Sequence, residues 1–361
     1  MSEISKSFSP DLYEAIYLVD EEQDGMRLDQ FCAIYLSSFS RQQIKQKIKV
    51  GQVQIFDRPY PHKASVKVYH REKVKIFTPR GELEDEYWRG EKLELELDPK
   101  TIFENDHYFI VAKPPYMTTH PTGKHLFNCV TVYYEHKYQQ TIHSIHRLDR
   151  ETSGIQLLGK NPRAAEKMGA LFEQDKISKC YFLIAHKNKN LTFPLNAVER
   201  LGQIDDFIPR LFVHCFPPES FEGKTARTHF ELLHENDNTI IALAFPVTGR
   251  QHQIRAHAAF HGFPLIGDKL YNGDPKVFMR FKDGVATKED HDLMQLSRHA
   301  LHAIAIHYEC PFEKSVQFHR AELPRDLKEW IEKNFTQLDF EELDKKIEKV
   351  ALKFLSTLKG A

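Results

Sequence analysis

The densest chemistry in the sequence lies in His146–Gly154, HRLDRETSG. Asp149 stands there between Arg147 and Arg150, in a turn closed by Thr152, Ser153 and Gly154. A carboxylate so placed can serve as nucleophile, general base or metal ligand. Free aspartate titrates near about 3.9 and is ionised at neutral pH without help. The arginines are therefore available to orient it or to grip phosphate with their planar forks. A structural ion pair in a turn is the competing reading of the same residues. A second dense stretch is Val247–His257, VTGRQHQIRAH, where Arg250, His252 and Arg255 fall at the start of a predicted helix, a place that suits an anion. Arg255 is suited to pair with a buried carboxylate. His257 and His261, four apart, have the spacing of a zinc pair, but no third ligand stands at a convincing distance in the chain. Lys179 and Tyr181 open a strand, where the tyrosine can stack on a base, move a proton or simply fill core. Lys113-Pro114-Pro115 reads as a rigid turn after another strand.

The elements that must position these residues follow from periodicity. Strands are predicted at Ile16–Val19, Gln52–Ile55, Lys73–Ile76, Tyr108–Ala112, Ile155–Leu158, Tyr181–Ala185, Thr228–Leu233 and Ile240–Phe245. One more is predicted in the acidic stretch, at Leu93–Leu97. A helix over Arg27–Leu36 would bury Leu28, Phe31, Cys32 and Tyr35 or Leu36. Ser40 is a good N-cap for a second helix through Val50, with Gly51 as its stop. On that helix Arg41, Lys45 and Lys49 recur every fourth residue and make one cationic stripe. Asn161 caps a helix that opens on Pro162 and runs to Glu173. Gln251–His261 forms another, ended by Gly262-Phe263-Pro264. Residues 269–294 read as a polar, irregular excursion. Two amphipathic helices follow Pro324, the last placing Phe340, Leu343, Ile347, Val350, Phe354 and Leu358 on a packing stripe.

Composition bounds the function classes. The chain has 361 residues, 41% hydrophobic and 28% charged, enough for two or three domains with real cores. No apolar run reaches the ~18 residues of a membrane span, and the acidic N-terminus is unlike a secretory signal. Five scattered cysteines without CxxC spacing argue against a disulfide framework or a zinc ribbon, and for a reducing cytosol. The formal net charge of −1 hides strong segregation: −6 over residues 1–24, +9 over 25–80 and −7 over 81–106. A short segment at +9 is the electrostatic footprint of a polyanion-binding module, the alternative being a solvated face paired with its acidic flanks.

Taken together, these stretches resemble the RluA family of pseudouridine synthases. HRLDRETSG at His146–Gly154 matches that family's HRLDRxTSG signature at every fixed position. Val111-Ala112-Lys113-Pro114 with His120-Pro121, Lys179-Cys180-Tyr181, Thr248–His257 with Gly267-Asp268 and Tyr271, Arg298–Ala303, and Glu322-Leu323-Pro324 follow in the family's order over about 100–325. The basic N-terminal segment resembles the ribosomal S-four-like, alpha-L RNA-binding domain through Arg27-Leu28-Asp29, Ser40-Arg41 and Ile48–Val53. It departs from that pattern at two turns, Asp57-Arg58 and His70-Arg71-Glu72.

The resemblance implies an α+β fold: a mixed, largely antiparallel sheet with flanking helices as the catalytic domain, plus a small α/β RNA-binding domain. It implies domains at 1–80, an acidic linker at 81–101, a catalytic domain at 102–335 and a C-terminal amphipathic helix at 336–361. The implied activity is isomerisation of uridine to pseudouridine in RNA, with no metal or organic cofactor. Asp149 would be the catalytic carboxylate and Arg255 its partner. Tyr181 would pack on the extruded base, Ile254 would line the same pocket, and Arg147 would hold the displaced strand or fill its gap. Arg27, Arg41, Lys45, Lys49, Arg250 and His252 would bind RNA. The partner would be ribosomal RNA of the large subunit, with transfer RNA as the alternative, and the chain a cytoplasmic monomer without membrane contact. Rival classes are a non-catalytic RNA-binding factor of ribosome assembly and a His/Asp metallohydrolase.

Overall fold

The computed structural model describes residues 3–9, 11–36, 39–80, 84–122, 125–187, 191–204 and 211–357, and its chain forms two compact units. One holds residues 1–85 and 118–142, the other 86–117 and 143–361. Leu358 and residues 81–83 of the expected linker lie outside the described residues.

In the first unit, β1 (Glu3–Phe8), β2 (Leu12–Leu18), β3 (Val53–Ile55) and β4 (Lys73–Pro79) form an antiparallel sheet in the order β1-β2-β4-β3. Strict alternation in β2 buries Tyr13, Ala15 and Tyr17 on one face. Helix α1 (Leu28–Tyr35) buries Leu28, Phe31 and Cys32. Helix α2 (Arg41–Lys49) starts at a reciprocal cap: Ser40 Oγ accepts from the Gln43 N–H, and Gln43 Oε1 from the Ser40 N–H. Ile44 and Ile48 point into the core, which leaves Arg41, Lys45 and Lys49 exposed. Lys47 turns inward, donating to Gln52 Oε1 and Thr78 Oγ1 at 3.1 Å each. The segment 118–142, read from sequence as part of the catalytic domain, packs here, with helix α3 (Val130–Tyr138). The physical reason is Glu84, whose carboxylate accepts the backbone N–H groups of Leu126, Phe127 and Asn128 at 2.6–2.8 Å. Phe127 thereby joins the core around Phe31.

The second unit opens with a two-residue pairing, β5 (Tyr87–Trp88) with β6 (Glu91–Lys92). Its main sheet has ten strands among the described residues. They are β7 (Lys100–Glu104), β8 (Tyr108–Lys113), β9 (His143–Ser144), β10 (Ser153–Gly159), β11 (Ser178–His186), β12 (Leu195–Ala197), β15 (Thr228–Glu235), β16 (Thr239–Pro246), β17 (Leu301–Glu309) and β18 (Val316–Arg320). The order is β12-β15-β16-β11-β17-β10-β8-β7, with β18 beside β17 and β9 beside β10. A separate small hairpin pairs β13 (Arg200–Gly202) with β14 (His214–Phe216). Every pairing in the main sheet is antiparallel except β10 with β17. That mixed, largely antiparallel sheet with flanking helices is the architecture the family resemblance implied.

Helix α4 (Pro162–Glu173) is capped by Asn161 as predicted. Helix α5 (Gln253–Phe260) carries Arg255, and α8 (Arg325–Asn334) and α9 (Phe340–Thr357) cover one sheet face. The buried positions of α9 are Leu343, Ile347, Ala351 and Leu355, while Phe340, Val350 and Phe354 pack at its edge. Two expectations are corrected. No strand forms at Leu93–Leu97, because the alternating leucines there find no neighbouring strand to pair with. The excursion 269–294 contains helices α6 (Lys276–Lys282) and α7 (Lys288–Met294), the latter capped reciprocally by Thr287 and Asp290. An Arg280–Asp290 fork at 2.5 and 2.7 Å ties them together. Among the described residues no helix is long and apolar enough to cross a membrane.

Candidate active site

The site grows from the one parallel pairing in the main sheet among the described residues, β10 with β17. Gly154 enters β10 with φ +110, and a Cβ there would lie 2.2 Å from the Ala303 carbonyl oxygen of β17. Only glycine lets the two backbones meet. The loop 145–152 is thereby pinned against 299–302. Thr152 Oγ1 bonds His299 Nε2 at 2.7 Å, and Ser153 Oγ bonds His302 Nδ1 at 2.9 Å. Glu151 bonds Lys269 at 2.8 Å and faces His299 Nδ1 at 3.3 Å. His146 accepts the Leu157 N–H at Nε2 and stacks on Phe172; burial pushes its pKa down to about 3, so it is neutral. It holds the loop to β10.

Asp149 emerges from this frame into a cleft of about 610 Å³, also lined by Arg147, Lys179, Tyr181, Arg250 and Ile254. Its side chain is about one-third exposed, and Oδ2 accepts a hydrogen bond from Arg255 Nη1 at 3.1 Å. The larger share of Arg255 belongs to another acid. Its Nε and Nη2 donate to the two oxygens of fully buried Asp268 at 2.6 and 2.8 Å. Asp268 Oδ1 also accepts the N–H groups of Leu270 and Tyr271, both at 3.1 Å. One guanidinium thus bridges two carboxylates, bidentate to the hidden one and single-bonded to the accessible one.

His252 precedes α5 in the left-handed region, φ 54, and its Nε2 lies 3.8 Å from Asp149 Oδ2. Its Nδ1 meets Tyr271 Oη at 3.1 Å, and that oxygen accepts the Val213 N–H at 2.9 Å. Burial first, and then Arg255, push the His252 pKa down to about 4. Burial alone would raise Asp149; the charges of His252, Arg255 and His299 and the Arg255 hydrogen bond outweigh it and hold the carboxyl below its usual range. With His252 neutral near pH 7, Arg255 supplies the charge. Burial, then the Asp149 charge, raises the Tyr181 phenol, and burial lowers the Lys179 ammonium. In β11 the register shifts between Cys180 and Tyr181, a bulge that re-aims the tyrosine at the point where it lines the cleft.

Asp149, Arg147, Tyr181, Ile254, Arg255, Arg250 and His252 are therefore brought to one cleft. Arg150 leaves it, bonding Glu86 at 2.5 Å. Just before α5, Gln253 Oε1 takes the Arg250 N–H and the Thr248 hydroxyl proton, so these two donors are engaged within the chain. Of the cations expected on the N-terminal module, Arg41, Lys45 and Lys49 stand exposed on α2, while Arg27 forks onto Asp29 at 2.9–3.0 Å. His257 is engaged by Thr228 Oγ1 and the Glu199 carbonyl and His261 by the Glu199 carboxylate. No group of three or more potential metal ligands occurs among the described residues. Asp268, Tyr271 and Lys179 carry site geometry that sequence reasoning left unassigned, although all three lie inside motifs that carry the family resemblance.

A family model described as RNA pseudouridylate synthase matches residues 107–260. The ribosomal large subunit pseudouridine synthase D of Vibrio vulnificus is 28% identical over 327 residues, covering 87% of this chain and 92% of its own. The protein of the same name in Escherichia coli K12 is also 28% identical, covering 90% and 94%. The mitochondrial tRNA pseudouridine(32) synthase of Saccharomyces cerevisiae is 31% identical over 176 residues, 48% of this chain and 37% of that one. Among solved structures, human RNA pseudouridylate synthase domain containing 1 shares the fold with a TM-score of 0.50 at 16% identity, over 67% of this chain and 96% of that one.

Proposed function

Because the chain belongs to the RluA family of pseudouridine synthases, we propose that its cleft isomerises uridine to pseudouridine in large-subunit ribosomal RNA, with Asp149 as the catalytic carboxylate. The observation that carries the residue assignment is the 3.1 Å bond from Arg255 Nη1 to Asp149 Oδ2, across 106 residues of sequence, at the wall of the cleft. The reaction breaks the bond from ribose C1′ to uracil N1 and forms one from C1′ to C5. C5 loses a proton and N1 gains one, so atoms and electrons balance without an oxidant, a metal or an organic cofactor. Asp149 is ionised, one oxygen is held by Arg255, and the other faces the reacting nucleotide. Asp268 is the positioning residue behind it. By occupying two of the three guanidinium nitrogens, it fixes the angle of Arg255 and keeps it from clasping both Asp149 oxygens.

The target base must leave its stack before it reaches this carboxylate, at a cost of a few kcal/mol. Tyr181 and Ile254 offer the extruded uracil a ring and an apolar wall. Arg147 and Arg250 take phosphates at the cleft. Arg41, Lys45 and Lys49 on α2 grip RNA as well and make binding salt-dependent. In this reading the protein works as a cytoplasmic monomer. The alternative substrate, transfer RNA, is favoured by one observation, the similarity to the yeast tRNA enzyme. Mapping pseudouridines in total RNA from cells with and without the gene decides between them. Restoration of the missing modification by Asp149→Asn would remove that residue from the chemistry.

A further inference from the structure

Phe221 is fully exposed, at 103% of its reference area, although the loop that carries it is tightly fixed. That loop, 217–225, follows strand β14 and returns beside β13. Arg200 holds it from below: Nε donates to the Glu222 carbonyl at 3.0 Å, Nη2 to the Gly223 carbonyl at 2.8 Å and Nη1 to Thr225 Oγ1 at 2.9 Å. Lys224 and Leu201 exchange both backbone hydrogen bonds at 2.8 and 2.9 Å. Gly223, at φ +70, lies so close that a Cβ there would sit 2.9 Å from the Leu201 carbonyl carbon. On the other side of Phe221, Ser220 N–H closes a turn onto the Pro217 carbonyl at 2.9 Å. The backbone is thus tied on both sides of a phenyl ring that stands in solvent.

A lone exposed apolar side chain is ordinary on a protein surface. This one differs in its mount and its neighbours. The foot of the loop is bonded to the cleft, because Arg250 Nε donates to the Thr225 carbonyl at 3.1 Å. Lys224, Arg227 and Arg250 are exposed and lie at or next to that foot in the chain, whereas the exposed Glu219 and Glu222 flank Phe221 in sequence. Phosphate is therefore drawn to the foot and repelled from the tip. What remains for the tip is the uncharged face of a base. A ring presented on a rigid backbone loses little freedom when it stacks, and aromatic stacking beside a cationic track is the general way single-stranded RNA is held.

We infer that Phe221 is a base-stacking residue, taking an unpaired base of the RNA that flanks the target uridine, while Lys224, Arg227 and Arg250 hold the adjoining backbone. The inference rests on the proposed activity on RNA. It is tested with the full-length protein and, as substrate, total RNA from cells lacking the gene, by measuring RNA affinity together with KM and kcat for pseudouridine formation. Phe221→Ala and Phe221→Leu are each expected to weaken affinity and raise KM about tenfold, with kcat unchanged and an unaltered thermal midpoint. Phe221→Trp is expected to keep wild-type KM, and its indole fluorescence to be quenched when RNA is added. Wild-type affinity and KM in Phe221→Ala overturn the inference. So does full retention by Phe221→Leu, since an aliphatic contact is not stacking. A wild-type protein that forms no pseudouridine in that RNA overturns the functional reading instead, whatever Phe221 does.

Discussion

Arginine and lysine do opposite kinds of work in the two units. On α2, Arg41, Lys45 and Lys49 stand in water, each able to meet a phosphate and none needed to hold the fold. In the cleft, Arg255 is buried and shared between Asp149 and Asp268. A solvated charge is interchangeable and screened by salt. A buried one is committed to its partners, and removing the shared cation leaves a buried carboxylate without compensation. Cations on a surface therefore tune affinity by degrees, whereas the buried bridge is closer to all or none.

The sharpest contrast comes from Asp149→Asn, expected to lower kcat by at least about 10³-fold with RNA affinity and thermal midpoint near wild type. An active variant would dissolve the distinction between the two regions. Arg255→Met comes next. It should abolish turnover and also destabilise the protein by roughly 3–5 kcal/mol, because Asp268 is left buried without its cation; denaturant unfolding reads that directly. Asp268→Asn keeps an oxygen for the Leu270 and Tyr271 N–H groups. It is expected to lower kcat by about 10²-fold through misplacement of Arg255, with KM little changed. A wild-type kcat would mean Arg255 needs no anchor.

Acid separates the units in another way. His146 and His302, both in the second unit, have folded pKa values of about 3, against 6.5 for free imidazole, because burial disfavours their charged forms. The unfolded chain then binds more protons than the folded one between these values, so stability falls as pH drops from about 6.5 towards 3 and is unaffected by these groups above that window. A thermal midpoint that is flat over this range would show that the buried imidazoles protonate without opening the unit. The smallest effects belong to α2. Changing Arg41, Lys45 or Lys49 singly to Gln should reduce the salt slope of RNA binding by about one for each phosphate the helix no longer neutralises. Stability should stay within about 0.5 kcal/mol, and kcat should not move.

Much of this was legible in the residues. The Ser40 cap, the α2 stripe and the Asn161-Pro162 helix start depend on neighbours a few positions apart, and all three stand where local rules put them. HRLDRETSG and TGRQHQIRAH pointed to Asp149 and Arg255. Where local rules failed, a distant partner was missing or supplied. Leu93–Leu97 alternates like a strand, but no strand among the described residues pairs with it. Residues 269–294 look irregular until Arg280 and Asp290 join two short helices. The segment 118–142 follows a catalytic-domain motif in sequence, yet Glu84 draws its backbone into the other unit.

By itself, the order of amino acids singled out Asp149 and Arg255 as a candidate acid and its cation and placed Arg41, Lys45 and Lys49 on one helix stripe, while the motif order carried the family resemblance that implied a mixed sheet. Those properties reside in side-chain type and short spacing. Folding alone decided that Asp268 claims most of Arg255, that His252 is neutral beside Asp149, and that Phe221 is raised on a fixed loop near the cleft. Each of these depends on burial and on contacts between residues far apart in the chain, and burial is a property of the packed molecule that no local stretch contains.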